Sequence, residues 1–141
     1  MPMTAERTLV WLLRVVGWSG LLALPAALMP AEWMRATHRW LGLGEMPDGP
    51  VVFYLARSLS GFYAFTSLLL LYLSLDVRLY LPLLRFVALA CLPFGLGFLV
   101  LDAAVGMPVW WTCIEGPGTI LFGGVVLWLV RRVERGVSRE R

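Results

Sequence analysis

Four long apolar stretches, at residues 8–29, 51–75, 79–101 and 108–130, alternate with short polar segments along this chain. Each is long enough to cross a hydrocarbon layer of ~30 Å at ~1.5 Å rise per residue, so the pattern predicts four transmembrane helices. Residues 31–41 follow another period. Wound as a helix, they place Trp33, Met34, Thr37, Trp40 and Leu41 on one face and Glu32, Arg35 and Arg39 on the other, with His38 at the border. Pro30 suits the start of that helix, and Gly42 and Gly44 suit its end. A short amphipathic helix with two tryptophans fits either a position flat on the outer leaflet or a lid over the bundle mouth. The expected fold is all-α: an integral membrane antiparallel four-helix bundle with a short amphipathic interfacial helix in the first loop. It forms a single membrane domain over residues 1–141, with a tail at 131–141.

Several small or helix-breaking residues modulate this pattern. Gly17 and Gly20 permit close helix approach in the first span, and Pro25 is expected to bend its far end. Ser60 and Ala64 form a small-residue pair that should turn inward, leaving Leu68 to Leu71 for lipid. Pro93 predicts a kink in the third span. In the fourth, Cys113-Ile114-Glu115-Gly116-Pro117-Gly118 has two readings. One is a discontinuous helix of the kind that builds transporter binding sites; the other is a distorted first turn with Glu115 favoured by the helix dipole.

Composition fixes the class and then the topology. The chain is 60% hydrophobic, with a mean hydropathy of +0.78, more apolar than a soluble domain of this size can bury. All twelve basic residues are arginine. Arg7, Arg78, Arg131, Arg132, Arg135, Arg139 and Arg141 fall on the side that holds both termini, against Arg35 and Arg39 opposite. The positive-inside bias therefore predicts a multi-pass protein of the bacterial inner membrane with both termini cytoplasmic. The net charge of +3 reflects this topology, and no basic surface domain offers nucleic acid a docking site. The first span exceeds a signal peptide's apolar core and reads as an insertion signal that stays in place. Cys91 and Cys113 lack a CxxC spacing and read as small apolar residues.

Each apolar stretch carries one charge. Arg14 and Arg85 lie about 9 Å inside the cytoplasmic ends of their spans and can snorkel back along their apolar stems. Arg57 and Glu115 enter from the outer side to a shared depth of roughly 10 Å. Glu115 is too short to reach the interface, so it should face the bundle and find a partner. Arg57 is the first candidate, with His38, Tyr54 and Asp102 behind it. The predicted site is thus a ligand-binding pocket in the outer leaflet built by Arg57, Glu115, Asp102 and Tyr54, roofed by Trp33, His38 and Trp40. A lipid, a quinone or another amphiphile with a polar head suits it. No P-loop, GxGxxG, GxSxG or HExxH occurs, and one histidine cannot ligate a haem from two sides. No catalytic residue, metal site or cofactor is expected.

The second span's Arg57-Ser58-Leu59-Ser60-Gly61-Phe62-Tyr63, the Leu101-Asp102 end of the third span and the acid early in the fourth resemble the DoxX-like group of small four-helix bacterial membrane proteins over residues 51–130. The resemblance implies a small polytopic membrane protein and, for some members, a subunit of a quinone-linked oxidoreductase. The leading expectation is a non-catalytic accessory or amphiphile-binding protein of the bilayer. The alternatives are a membrane subunit of a quinone-linked redox complex carrying Glu115 as a proton shuttle, and a purely structural subunit that associates with a membrane-protein partner or with itself.

Overall fold

The computed structural model describes residues 2–140, with side chains described from residue 4 to residue 138. The chain is helical nearly throughout, and no strand occurs among the described residues. The helices are α1 (Pro2–Gly20), α2 (Ala23–Leu28), α3 (Ala31–Trp40), α4 (Pro50–Leu73), α5 (Leu81–Val105) and α6 (Val109–Glu140). The predicted all-α class is therefore observed. Among the described residues, three stretches are long and apolar enough to cross a bilayer: Thr4–Leu28, which joins α1 and α2, then Leu81–Val105 and Val109–Ser138. The fourth expected span, α4, has the length at 24 residues, but Arg57 and the hydroxyls of Ser58, Ser60, Thr66 and Ser67 dilute its apolar character. Two compact units divide the chain: Met1–Leu12 with Leu73–Arg141, and Leu13–Tyr72.

In the unit Leu13–Tyr72, the first expected span is two helices instead of one bent one. Pro25 has no N–H to give the Leu21 carbonyl, and its ring crowds that oxygen. The Leu24 N–H takes the carbonyl instead at 2.9 Å, and Leu22 N–H reaches back to Ser19 O at 3.1 Å. These tighter turns break the helix at residues 21–22, one turn ahead of the proline. α1 and α4 then approach on glycine. A Cβ built on Gly17 would stand 2.7 Å from Leu71 Cγ and 3.1 Å from the Ser67 carbonyl oxygen, and one on Gly20 would collide with Ser67 Oγ. Of the expected inward pair, Ala64 is buried and Ser60 half-buried, and Ser67, not foreseen, is buried beside Ala64. Leu71 lies against Gly17 instead of facing lipid, because it stands one turn beyond Ser67 on that same face.

The unit built from Met1–Leu12 and Leu73–Arg141 centres on an antiparallel α5–α6 hairpin whose helices pack along one another. Gly106 ends α5 at φ +73°, a left-handed conformation in which a Cβ would be strained, and its N–H closes on the Asp102 carbonyl. Pro108 then starts α6, its carbonyl accepting from Trp111 N–H at 2.9 Å. The two backbones touch. A Cβ on Gly95 would meet the Gly116 carbonyl oxygen at 2.7 Å, and one on Gly116 would meet the Gly95 carbonyl oxygen at 2.8 Å. Gly123 repeats the contact against the Ala88 carbonyl at 2.7 Å. Leu84, Ala88, Val126, Leu129, Val130 and Val133 are buried along this unit. Arg78 holds Glu6 at 2.9 Å, and Asp76 Oδ1 accepts from Leu79 N–H at 3.1 Å in the turn before α5.

α5 runs through Pro93 and α6 through Pro117 as single helical segments. The discontinuity weighed for residues 113–118 is therefore not observed. Gly116 spends its missing side chain on the approach to α5, and the Thr119 hydroxyl donates to the Glu115 carbonyl at 2.8 Å. The expected tail is likewise no separate segment: α6 continues to Glu140, while residue 141 lies outside the described residues. Trp110 and Trp111 stand about 26 Å along α6 from Trp128 at helical rise, which is the spacing of two interfacial aromatic belts.

If backbone contact sets the hairpin, Gly95→Ala should destabilise by about 1–3 kcal/mol, because the carbonyl it meets cannot swing aside. Gly97, with open space around its Cβ position, is the control. Gly97→Ala should be neutral or up to ~1 kcal/mol stabilising through helix propensity. Thermal unfolding in a mild detergent, followed by circular dichroism, reads both; equal melting temperatures for the two variants would contradict the packing.

Candidate functional site

The charged and aromatic residues singled out by the sequence fall on two helix-end assemblies, one in each unit. In the unit Leu13–Tyr72, α3 forms over Ala31–Trp40 almost where its periodicity placed it. Its polar face carries Arg35, His38 and Arg39 at helical spacing, and these three side chains hold the loop that follows. Arg35 donates to Asp48 at 2.7 Å while its guanidinium lies 4.9 Å from the centre of the Phe53 ring. Arg39 pairs with Glu45 at 3.7 Å. His38 Nδ1 donates to the Gly44 carbonyl at 3.0 Å, since a carbonyl only accepts, which leaves Nε2 on the ring's other side. Gly42, at φ +74°, makes the reversal that brings the loop back onto this face. The acidic turn is therefore neutralised from within by two arginines.

The other face of α3 has no such cover. Met34 is buried, but Trp33 is 67% and Trp40 83% exposed. Tyr54, one turn before Arg57 on α4, is exposed as well. Arg57 donates to the Met29 carbonyl at 3.2 Å. Met29 is the residue that ends α2, so the guanidinium supplies a donor to a helix terminus that lacks its own, with the sign its dipole favours. That role was not anticipated, although Pro30 directly after Met29 signals a helix end in need of a donor.

In the other unit, Asp102 and Glu115 occupy the loop end of the α5–α6 hairpin. Asp102 lies seven residues beyond Gly95 on the α6-facing side of α5 and is 4% exposed. Its Oδ2 is buried and has no hydrogen-bond partner among the described residues. A buried acceptor left unsatisfied costs about 1–3 kcal/mol, and a carboxyl in the last turn of a helix also opposes the dipole. This is an expensive place for an acid. Leu99 stands opposite Gly116, so Asp102 comes level with the first turn of α6, within one turn of Glu115. Glu115 is half-buried and accepts the indole N–H of Trp111. Trp110 packs edge-on against Trp111 with ring centres 5.4 Å apart. The sequence offered this donor through its i,i+4 spacing with Glu115, but the tryptophan pair was read only as an interfacial anchor.

The structure thus groups Trp33, His38, Trp40, Tyr54 and Arg57 in one unit and Asp102 and Glu115 in the other. Two apolar grooves lie on the helices' outward faces, about 450 Å³ beside Gly124 on α6 and about 330 Å³ beside Gly97 on α5. Neither is lined by a predicted site residue. Among the described residues, no group of three or more His, Cys, Asp or Glu side chains is placed to hold a metal ion.

If Trp111 is the anchor of Glu115, Trp111→Phe should lower stability by about 0.5–1.5 kcal/mol, the net contribution of one hydrogen bond. Glu115→Gln, which keeps an acceptor for the indole, should cost less. Melting temperatures of the two variants in one detergent give the order, and the reverse order would remove the anchor. Comparison with known proteins supplies no relative: no family model, no curated protein and no solved structure matches this chain.

Proposed function

We propose that this chain is a non-catalytic accessory protein of the bacterial inner membrane, a four-helix bundle with both termini cytoplasmic, that holds an amphiphile by its polar head at the outer leaflet. The observation that carries the reading is Asp102. A buried carboxylate oxygen without a donor, in a hairpin whose outward faces are apolar, suits a ligand that brings its own hydroxyl, amine or amide N–H. Glu115, one turn away and already steadied by Trp111, offers a second acceptor. In the other unit, taken by itself, Arg57 and Tyr54 offer a guanidinium and a phenol, groups that suit a carbonyl or an anion. Trp33, His38 and Trp40 on α3 provide the amphipathic cover expected at a membrane surface.

The resemblance to DoxX-like proteins supports a second reading, a small subunit of a quinone-linked redox complex. A partner then carries the cofactor, and Glu115 passes protons to the quinone. Self-association through Gly17 and Gly20 is the weaker option, since both glycines already receive α4.

Mass spectrometry of the gently solubilised protein separates these readings by weighing bound small molecules and subunits together. The proposal expects a retained amphiphile on the wild type and its loss from Asp102→Leu. With no ligand present, Asp102→Leu should melt higher than the wild type, because about 1–3 kcal/mol of unsatisfied burial is relieved. A copurifying cofactor protein would favour the redox reading. A wild type that carries nothing, or a leucine variant that keeps its amphiphile, would overturn the proposal.

A further inference from the structure

The far end of α6 from Asp102 carries a second arrangement. At ~100° per residue, Trp128, Arg131, Arg132 and Arg135 fall within an arc of about 100°. The buried residues Val126, Leu129, Val130 and Val133 turn the other way and hold the helix in its unit. Trp128 is 51% exposed, all three arginines are exposed, and the Arg132 guanidinium lies 4.0 Å from the centre of the Trp128 ring. Glu134, the acid nearest in sequence, stands roughly 100° from the centre of the arc. Glu6, at the start of α1, is held by Arg78. The arginine stripe therefore keeps its positive charge facing outward.

The same arc continues into the span as an apolar groove of about 450 Å³, lined by Leu121, Gly124 and Trp128 among others. Gly124 makes the floor: nothing lies within 4 Å of the Cβ it lacks. From Gly124 to Arg132 the helix rises roughly 12 Å, placing an apolar trough directly below a guanidinium cluster, with an indole at the boundary. That sequence of surfaces matches one molecule lying along the helix, an acyl chain below and an anionic head above.

We infer that this face of α6 binds an anionic phospholipid, its acyl chain in the groove over Gly124 and its headgroup among Arg131, Arg132 and Arg135. Charge selects the occupant. A zwitterionic lipid presents its own cation to the arginines, whereas an anionic one leaves its phosphate uncompensated for charge-assisted bonds. The inference is independent of the amphiphile proposed at Asp102, which sits at the opposite end of the hairpin.

The test reconstitutes the full chain into bilayer nanodiscs of phosphatidylcholine and phosphatidylglycerol at 4:1. Lipids retained after mild extraction are then weighed by native mass spectrometry at low salt. The wild type should hold phosphatidylglycerol enriched at least about fivefold over the bilayer ratio, the effect of a single arginine near an anionic surface. The triple variant R131Q/R132Q/R135Q, with its helicity checked by circular dichroism, should return to the bilayer ratio. Gly124→Leu fills the groove from the apolar side and should remove the same adduct, which keeps the test open if the triple variant fails to fold. No enrichment in the wild type, or enrichment that survives either substitution, would overturn the inference. Asp102→Leu should leave the enrichment unchanged, so the outcome does not depend on the outer-face ligand.

Discussion

The contact on which the rest of this structure depends is the backbone-to-backbone approach of α5 and α6 at Gly95 and Gly116. The hydrophobic effect does not bring helices together inside a bilayer, because lipid tails solvate leucine as well as another helix does. Association rests on close packing and on polar contacts. The chain follows that rule. Phe86, Phe94, Leu96 and Leu121 are left outside, while glycine lines the contact at residues 95, 116 and 123. The same device joins α1 to α4 at Gly17 and Gly20. A soluble protein that buried glycine and displayed phenylalanine would aggregate; in lipid the inversion is what holds the helices in register.

That register also explains why an acid can be carried at Asp102. The residue belongs to the face that Gly95 brings against α6, so it is buried by packing that glycine sets, not by any attraction of its own. Its unpaired oxygen is a standing cost to the fold. Glu115 meets the same environment differently, taking an indole donor four residues away on its own helix. Two acids at one end of one hairpin thus differ: Glu115 accepts an indole N–H, and Asp102 keeps a buried oxygen without a donor among the described residues. The α3 assembly resolves its charges in a third way, by folding its own acidic loop onto its arginines.

Much of this was legible in the sequence because it depends on period and on short-range stereochemistry. α3 and its glycine terminus followed from two faces of unlike polarity, and the long helices followed from apolar length. What escaped was set by partners distant in sequence or by choices between equivalent geometries. Leu71 looked like a lipid-facing residue until Gly17 was found opposite it. Pro117 left a break and a distorted first turn both open; the helix passes through it, and Gly116 serves packing. Pro25 was expected to bend one helix; the Leu21 carbonyl, taken by Leu24 N–H in a tighter turn, marks where it divides in two. Arg57 was read as a partner for Glu115 and a ligand-facing charge, and its bond to the end of α2 across 28 residues of sequence was not foreseen.

The central claim is that lipid is the solvent for the outward faces of the α5–α6 hairpin. Leu96, 59% exposed in the middle of α5, is the position that decides it. A nitroxide attached at Leu96→Cys, with Cys91 and Cys113 replaced by alanine and the protein reconstituted in vesicles, can be probed by power saturation against oxygen and a water-soluble nickel chelate. Strong relaxation by oxygen and almost none by nickel is expected, as for a site in hydrocarbon. Relaxation dominated by the nickel chelate would place that face in water and contradict it.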